Sequence, residues 1–226
     1  MLYDLIYNLS IWIVPIYTAI ILHEVAHGYA AFKLGDDTAK ILGRVSINPL
    51  KHIDILGTLV IPVILVFLQS AFLFGWAKPV PVVFSRLRKP KRDMILVAVS
   101  GPAINLIIAL LCGLMFHIVF IAPNVMQNWI IQNLQNAIFF NVMLCVFNML
   151  PMPPLDGGRI AEGLLPEPFS SLFSKLERFG VLIVLFVLVL FPWLISMTDF
   201  NFNPAKWLLL EPVWFMIKII GYLSGN

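Results

Sequence analysis

Long runs without a formal charge limit what this chain can fold into. Residues 55–77, 94–155 and 179–198 contain no Asp, Glu, Lys or Arg, and residues 5–32 contain one charged residue, Glu24. A helix that crosses a bilayer core needs roughly 20 mostly apolar residues. The runs therefore predict an all-α polytopic membrane protein with about five to six transmembrane helices, and they exclude a soluble globular fold.

Composition and cysteine content agree with this class. Charged residues make up 12% of the chain, whereas about 25% of the residues in soluble domains are charged. The net charge of +3 is too small to indicate a nucleic-acid partner. Cys112 and Cys145 both lie in apolar segments, so we expect buried thiols and no disulfide framework. The N-terminal segment has no basic region, so we do not expect a cleaved signal peptide.

The basic residues orient the spans. Of the 15 Lys and Arg residues, 13 lie in three segments, residues 33–54, 75–93 and 156–178. The positive-inside rule places these segments in the cytoplasm and the N-terminus outside. Residues 55–74 then begin and end on the same side, so we expect a re-entrant hairpin there, bent near Gly57 and Pro62. Residues 207–222 are either a poor sixth span or an interfacial helix.

The polar connector after the first span carries two local signals. Gly35 follows the helix and is a candidate C-cap. Residues 40–47 read KILGRVSI, which predicts a short β element near the cytoplasmic face, interrupted by Gly43.

A His-Glu-Val-Ala-His sequence lies inside the first span. His23 and His27 are four residues apart, so on a helix they share a face and both can reach one metal ion, with Glu24 beside them. Unpaired ionisable groups are costly within a membrane, and those that occur there are functional by default. The pattern therefore predicts a metal site in preference to a buried structural polar cluster.

A zinc ion that keeps an open position for water needs a third protein ligand. Lys33 stands where a metzincin-like extension would place a histidine, and Asp36 and Asp37 follow too closely. Asp54 is a candidate at the membrane edge. Asp156 is the stronger one because it ends the longest charge-free run.

Two arguments support Asp156. Gly157 and Gly158 follow it, and we expect them to let its backbone leave helical geometry. Depth agrees as well, because Asp156 and the two histidines all follow spans that run toward the cytoplasm if residues 55–74 are re-entrant. The alternative is an aspartate in a turn that ends a helix.

Four segments resemble a known family. HEVAH at residues 23–27 and NMLPMPPLDGGR at residues 148–159 resemble motifs of the site-2 protease family of intramembrane zinc metalloproteases. SGPAIN at residues 100–105 and GWAKPVP at residues 75–81 resemble segments of its small bacterial branch, which lacks PDZ and CBS domains. The resemblance covers about residues 20–160.

The resemblance implies an activity and its setting. The chain would be an intramembrane zinc metalloendopeptidase that cleaves transmembrane proteins within or next to their spans. Residues 1–226 would form one membrane-embedded domain, with a catalytic core at about residues 10–160 and C-terminal helices at about residues 180–222. It would be a multi-pass protein of a bacterial cell membrane, with its active site toward the cytoplasmic side.

The resemblance also implies roles for five residues. His23, His27 and Asp156 would bind one Zn²⁺ per chain, and Glu24 would act as general base. Asn148 would lie near the substrate carbonyl, although an interhelical hydrogen bond is an equal alternative. Independently of the resemblance, we expect the strand predicted at residues 40–47 to hold the unwound substrate by edge pairing.

Other functions are less consistent with the sequence. An ion or proton transporter with a His, Glu and Asp relay is the alternative from another class, but transporters are commonly built from two related halves and this chain shows no internal repeat. An inactive scaffold is disfavoured because every required residue is present. A prenyl-protein protease would need a downstream Glu, and none occurs between Glu24 and Glu162. We expect His52 to be interfacial rather than next to the site, and His117 to be a packing residue.

Overall fold

Helices make up all the regular structure in the part of the chain that the computed structural model describes, residues 2–60, 63–64, 77–197 and 206–225. The all-α prediction is confirmed. The α-helices are α1 (Leu2–Leu34), α2 (Thr38–Ile41), α3 (Pro90–Met115), α4 (Asn124–Asn148), α5 (Asp156–Leu164), α6 (Phe169–Leu176), α7 (Gly180–Leu185), α8 (Phe191–Ser196) and α9 (Glu211–Ser224). Short 3-10 helices lie at Pro49–His52, Phe84–Arg86, Phe116–Ile121 and Glu177–Phe179, and π-helical turns at Ile55–Val60, Phe186–Leu190 and Lys206–Leu210.

Helices α1, α3 and α4 pack against one another and form the core of the bundle. Small side chains such as Ala19, Ala31 and Ala109 are almost fully buried between them. Small residues let helix backbones approach closely, which is how helices associate where lipid removes the hydrophobic driving force. Helix α9 covers α3 and α4, where Val213 fills the interface. Helix α5 packs on α3.

Four helical segments in the described ranges are long and apolar enough to cross a membrane: Ile6–Leu34, Pro90–Ile121, Asn124–Asn148 and Lys206–Ser224. Their outer faces expose large apolar side chains, among them Trp12, Ile107, Leu111 and Phe215. Exposed apolar surface of this extent is typical of a lipid-facing surface. Residues 180–196 are helical in three short pieces, so the count of five to six spans stays a prediction.

The re-entrant hairpin predicted at residues 55–74 lies mostly outside the described residues. Its first six residues form the π-helical turn Ile55–Val60, and residues 61–62 and 65–76 are not among those described. The hairpin stays a prediction.

The strand predicted at residues 40–47 is wrong for this structure. Lys40 and Ile41 complete α2, and the chain then turns back on itself at Gly43, whose φ is +64°. The Gly43 N–H donates to the Lys40 carbonyl at 2.9 Å, and the Arg44 N–H donates to the Ala39 carbonyl at 2.9 Å. These local hydrogen bonds end a helix at a left-handed glycine, so the alternation of residue types in KILGRVSI does not produce a strand.

The predicted C-cap at Gly35 is confirmed. Gly35 has a φ of +118°, its N–H donates to the Phe32 carbonyl, and the Asp36 N–H donates to the Ala31 carbonyl. This pair of bonds is a Schellman motif. It sends the chain from α1 back toward the bundle, which brings Asp36 into the interior.

Candidate metal centre

Two histidines of α1 face the interior of the bundle. His23 and His27 are 5% and 9% exposed. Their side chains share a face because they are four residues apart, and their rings are nearly perpendicular, at 87°. The two Nε2 atoms lie 3.0 Å apart.

Asp156 completes the group from another part of the chain. Its Oδ2 atom lies 3.2 Å from His23 Nε2 and 3.3 Å from His27 Nε2. Helix α4 ends at Asn148, a turn follows, and Asp156 is the first residue of α5. It therefore begins a helix rather than ending one. Within the described ranges, these three residues form the one group of His, Cys, Asp and Glu side chains placed to hold a metal ion.

The two glycines after Asp156 do not have the conformational role that was predicted for them. Gly157 and Gly158 are both within helix α5, so their backbone does not leave helical geometry. Their small size matters instead, because a Cβ on Gly157 would lie 2.3 Å from the Leu150 carbonyl oxygen and one on Gly158 would lie 2.7 Å from that of Met152. Only glycines let the start of α5 pack this closely on the turn after α4.

The hydrogen bonds made by the Nδ1 atoms determine which ring nitrogen of each histidine carries the proton. His27 Nδ1 lies 2.8 Å from the Val97 carbonyl oxygen, and His23 Nδ1 lies 2.6 Å from Asn105 Oδ1. Both partners are acceptors only, so each Nδ1 must donate. In a neutral imidazole the Nε2 then carries a lone pair. Both lone pairs are available at the point where His23 Nε2, His27 Nε2 and Asp156 Oδ2 converge, which we call the three-atom group.

This arrangement fits a zinc ion. The ligands of a tetrahedral Zn²⁺ lie about 3.3 Å apart when the Zn–N and Zn–O distances take their usual values, and the three separations here are 3.0, 3.2 and 3.3 Å. Asp156 Oδ2 is buried and accepts no hydrogen bond in the structure. Two imidazole nitrogens and a carboxylate oxygen that converge on one point form a donor set that suits a zinc ion. His23, His27 and Asp156 are therefore brought together as predicted, and their role as ligands stays a prediction.

Gly101 of α3 allows this close approach. A Cβ at this position would lie 2.4 Å from His27 Nε2 and 2.6 Å from His23 Cε1. Any larger residue would displace the imidazoles or the helix. The backbone of α3 thus forms one wall of the candidate metal centre.

Glu24 points to a different neighbour. Its Oε2 accepts a hydrogen bond from the Val80 N–H at 2.7 Å. Val80 lies in a segment without helical structure, residues 77–83, which we call the 77–83 segment. One turn along α1, Gly28 leaves room for this segment, because a Cβ there would lie 2.8 Å from Val80 Cγ1 and 3.0 Å from Val45 Cγ2.

The remaining predicted residues make other contacts. Asn148 donates to the Leu144 carbonyl of its own helix at 3.0 Å, which is not the interhelical bond of the alternative, and its place near the substrate carbonyl stays a prediction. Asp54 accepts the Gly57 N–H at 2.8 Å and does not join the group. His52 is buried, with its Nε2 donating to the Ser46 carbonyl at 2.7 Å, and its place at the membrane interface stays a prediction. His117 donates to the Ser224 carbonyl at 2.6 Å and links α9 to the 3-10 helix that follows α3, and its role as a packing residue stays a prediction.

Sequence reasoning missed the partners of the predicted residues. Asn105, Gly101, the Val97 carbonyl and the Val80 N–H all contact the HEVAH residues. Gly101 and Asn105 lie in SGPAIN, and Val80 lies in GWAKPVP. Both segments resemble the family, but the sequence predicts no role for their residues. The asparagine within a long apolar run was the one available signal.

Comparisons with known proteins agree on one family. The sequence profile of peptidase family M50 matches residues 113–191. "Putative zinc metalloprotease YwhC" of Bacillus subtilis is 38% identical over 193 residues, which are 81% of this chain and 84% of that protein. "Putative zinc metalloprotease Rip2" of Mycolicibacterium smegmatis is 32% identical over 74% of this chain and 62% of its own length. The Rip2 of Mycobacterium tuberculosis H37Rv is 27% identical over 83% of this chain and 68% of its own length. No solved structure matches the chain.

Proposed function

Because this chain belongs to peptidase family M50, the site-2 protease family of zinc metalloproteases, we propose that it hydrolyses peptide bonds within or next to the transmembrane segments of membrane proteins. The observation that carries the proposal is the convergence of Asp156 with His23 and His27, which lie on a helix that is long and apolar enough to cross a membrane. A protease centre at that depth meets substrates that are themselves in the bilayer. The family assignment leaves the transporter alternative without support.

The residues divide the chemistry between them. His23, His27 and Asp156 would hold one zinc ion, which when bound would polarise the scissile carbonyl and lower the pKa of water toward 7. Glu24 accepts the proton of the attacking water and passes it to the leaving amine. The Val80 N–H holds Oε2 of Glu24, which orients the carboxylate and leaves Oε1 to take the proton.

The substrate must be unwound before it can be attacked, because a helical peptide bond is shielded by its own hydrogen bonds. Asn148 is the candidate residue for holding the unwound chain. Its amide is bonded to the Leu144 carbonyl, so it must exchange that bond for one to the substrate. An asparagine that is the last residue of its helix can do so at the cost of a single hydrogen bond.

The proposal includes a location. Relatives YwhC and Rip2 are bacterial, and His27 is followed closely by the basic residues Lys33, Lys40 and Arg44. The positive-inside rule assigns that connector to the cytoplasm. We therefore infer a multi-pass protein of a bacterial cell membrane that works near the cytoplasmic side, as one membrane-embedded domain with its core at about residues 10–160.

Asp156→Asn tests the proposal most directly, with Asp54→Asn as its matched control. The amide is nearly isosteric but a poor zinc ligand, so Asp156→Asn should lose most bound zinc and most cleavage of single-span test substrates in proteoliposomes. Asp54→Asn should keep both, because Asp54 lies outside the three-atom group. Zinc is measured by mass spectrometry of the purified protein. Full zinc and full cleavage in Asp156→Asn, with loss of both in Asp54→Asn, would move the third ligand to Asp54 and refute the proposed centre.

A further inference from the structure

A series of buried hydrogen bonds leads from α4 through α3 to the first histidine. Asn141 Nδ2 donates to the Ala137 carbonyl at 2.8 Å, Asn105 Nδ2 donates to Asn141 Oδ1 at 2.8 Å, and His23 Nδ1 lies 2.6 Å from Asn105 Oδ1. Both asparagines are completely buried. No other pair of fully buried asparagine side chains occurs in the described part of the chain.

The partners allow only one orientation of each amide. The Ala137 carbonyl can only accept, so Asn141 presents its Nδ2 there and its Oδ1 to α3. Asn105 Nδ2 also donates to the Ala19 carbonyl, at 3.2 Å, so both of its donors meet acceptors. Turning either amide over would set two oxygens against each other. Asn105 Oδ1 must therefore face His23 and accept its proton.

We propose that Asn105 and Asn141 are positioning residues that fix the tautomer and ring orientation of His23. With its Nδ1 donating to Asn105, His23 keeps its Nε2 lone pair directed at His27 and Asp156. The proposal rests on the proposed function only in that the lone pair serves a zinc ion.

The two histidines differ in how this is achieved. His27 donates to a main-chain carbonyl, that of Val97, which no substitution of a side chain removes. His23 depends on a side-chain amide whose own orientation depends on a second amide. Partners that orient a metal-binding histidine typically change metal affinity 10–100-fold when mutated. The sensitive half of the centre is therefore the His23 half.

The network also sets the position of α4 against α1. Asn141 lies on the helix that leads to the turn before Asp156, and it is joined through Asn105 to both the His23 side chain and the Ala19 carbonyl. The same hydrogen bonds that orient His23 thus hold together the helices that bring the three candidate ligands to one point.

Asn136 supplies a matched control. It is also an asparagine of α4, and its Nδ2 donates to the Ile11 carbonyl of α1 at 2.7 Å. That carbonyl has lost its normal helical partner because Pro15, four residues later, has no N–H. Asn136→Leu therefore disturbs the same helix pair at a position far from the histidines.

The experiment compares Asn105→Leu, Asn141→Leu and Asn136→Leu in detergent. Zinc Kd is measured by chelator competition, the coordination by the visible spectrum of the Co²⁺-loaded protein, and the tautomer of His23 by ¹⁵N NMR of the metal-free protein. Asn105→Leu should raise the zinc Kd about 10–100-fold, alter the Co²⁺ spectrum and populate the Nε2–H tautomer. Asn141→Leu should change all three in the same direction, and Asn136→Leu should lower the Tm alone.

Asn105→Asp distinguishes positioning from simple packing in the tautomer measurement. One of its oxygens still accepts the His23 proton, while the other faces Asn141 Oδ1 and the Ala19 carbonyl without a donor. It should restore the Nδ1–H tautomer although the lost donor lowers the Tm. Two results would overturn the proposal: Asn105→Leu with the wild-type tautomer and Kd, or Asn105→Asp with the same tautomer as Asn105→Leu. If the wild-type protein binds no zinc but the variants show the expected tautomer changes, the proposed function is refuted and the positioning role stands.

Discussion

The two sides of α1 at the HEVAH sequence are held by different kinds of structure. On the ligand side, His23 and His27 contact helix α3, and each Nδ1 has a buried acceptor. On the base side, Glu24 and Gly28 contact the 77–83 segment, which has no helical structure. The helical bundle therefore supports the candidate metal ligands, and a loop supports the candidate base.

This difference separates metal binding from catalysis. Helices hold side chains more precisely than loops do, which suits a metal site that tolerates little change in geometry. A loop can move, and Glu24 must release and take up protons beside a substrate that arrives and leaves. We expect changes on the ligand side to alter zinc affinity, and changes on the base side to alter cleavage with zinc still bound.

The largest predicted effects come from replacing the candidate base or one of the candidate ligands. Glu24→Gln keeps size and both histidines but removes the base, so cleavage should fall about 10²–10⁴-fold while zinc stays bound. His27→Ala should lose zinc and cleavage together, because three ligands are the minimum for such a site. Metal analysis and cleavage of single-span substrates are measured on the same preparations. Equal loss of zinc in both variants would show that Glu24 is a ligand and remove the distinction between the two sides.

A pair of glycine variants tests the comparison at smaller scale. The Cβ of Gly101→Ala would meet His27 Nε2 at 2.4 Å, and that of Gly28→Ala would meet Val80 Cγ1 at 2.8 Å. Gly101→Ala should raise the zinc Kd about 10–100-fold, as changes next to metal-binding histidines do. Gly28→Ala should leave the Kd unchanged and lower kcat by up to about 100-fold through displacement of Glu24.

The same measurements show how the comparison would fail. A zinc Kd that rises equally in both glycine variants would mean that the 77–83 segment supports the metal site as much as α3 does. Unchanged kcat in Gly28→Ala would mean that the contact between Glu24 and Val80 does not orient the base. Either result would remove the distinction between a ligand side that sets zinc affinity and a base side that sets the cleavage rate.

The three candidate ligands and the candidate base could be predicted from the sequence, and the groups that hold them in place could not. The histidines are linked by helical spacing alone, and Asp156 was found because it interrupts a long charge-free run. The Val80 N–H lies 56 residues from Glu24 and Asn105 lies 82 residues from His23, and no periodicity connects such pairs. Main-chain donors are also invisible to residue types. The strand predicted at residues 40–47 failed for a related reason, since local bonds around Gly43 decide that segment.

The smallest predicted effect concerns the far end of the 77–83 segment, where Asp36 holds Val83. Burial alone would raise the pKa of Asp36, but hydrogen bonds from the Thr38 hydroxyl and from the Val83 and Thr38 N–H groups, with Arg86 nearby, hold this pKa below its usual range. The Val83 N–H lies 2.6 Å from Asp36 Oδ2. Asp36→Asn should lower the Tm in detergent and leave zinc affinity unchanged, because the residue lies on the base side.

The pH dependence of that difference follows from the direction of the shift. A carboxylate with a lowered pKa contributes stability that is complete above its unfolded pKa of about 3.9 and is lost as the pH falls through the lower folded value. The Tm difference between wild type and Asp36→Asn should therefore be constant from pH 7 to 5 and shrink below about pH 4. Asp37→Asn is the control, because Asp37 is half-exposed beside Arg86 and exposed pairs contribute at most about 1 kcal/mol. A Tm loss in Asp37→Asn as large as in Asp36→Asn would show that the 77–83 segment is held by surface charge rather than by a buried carboxylate.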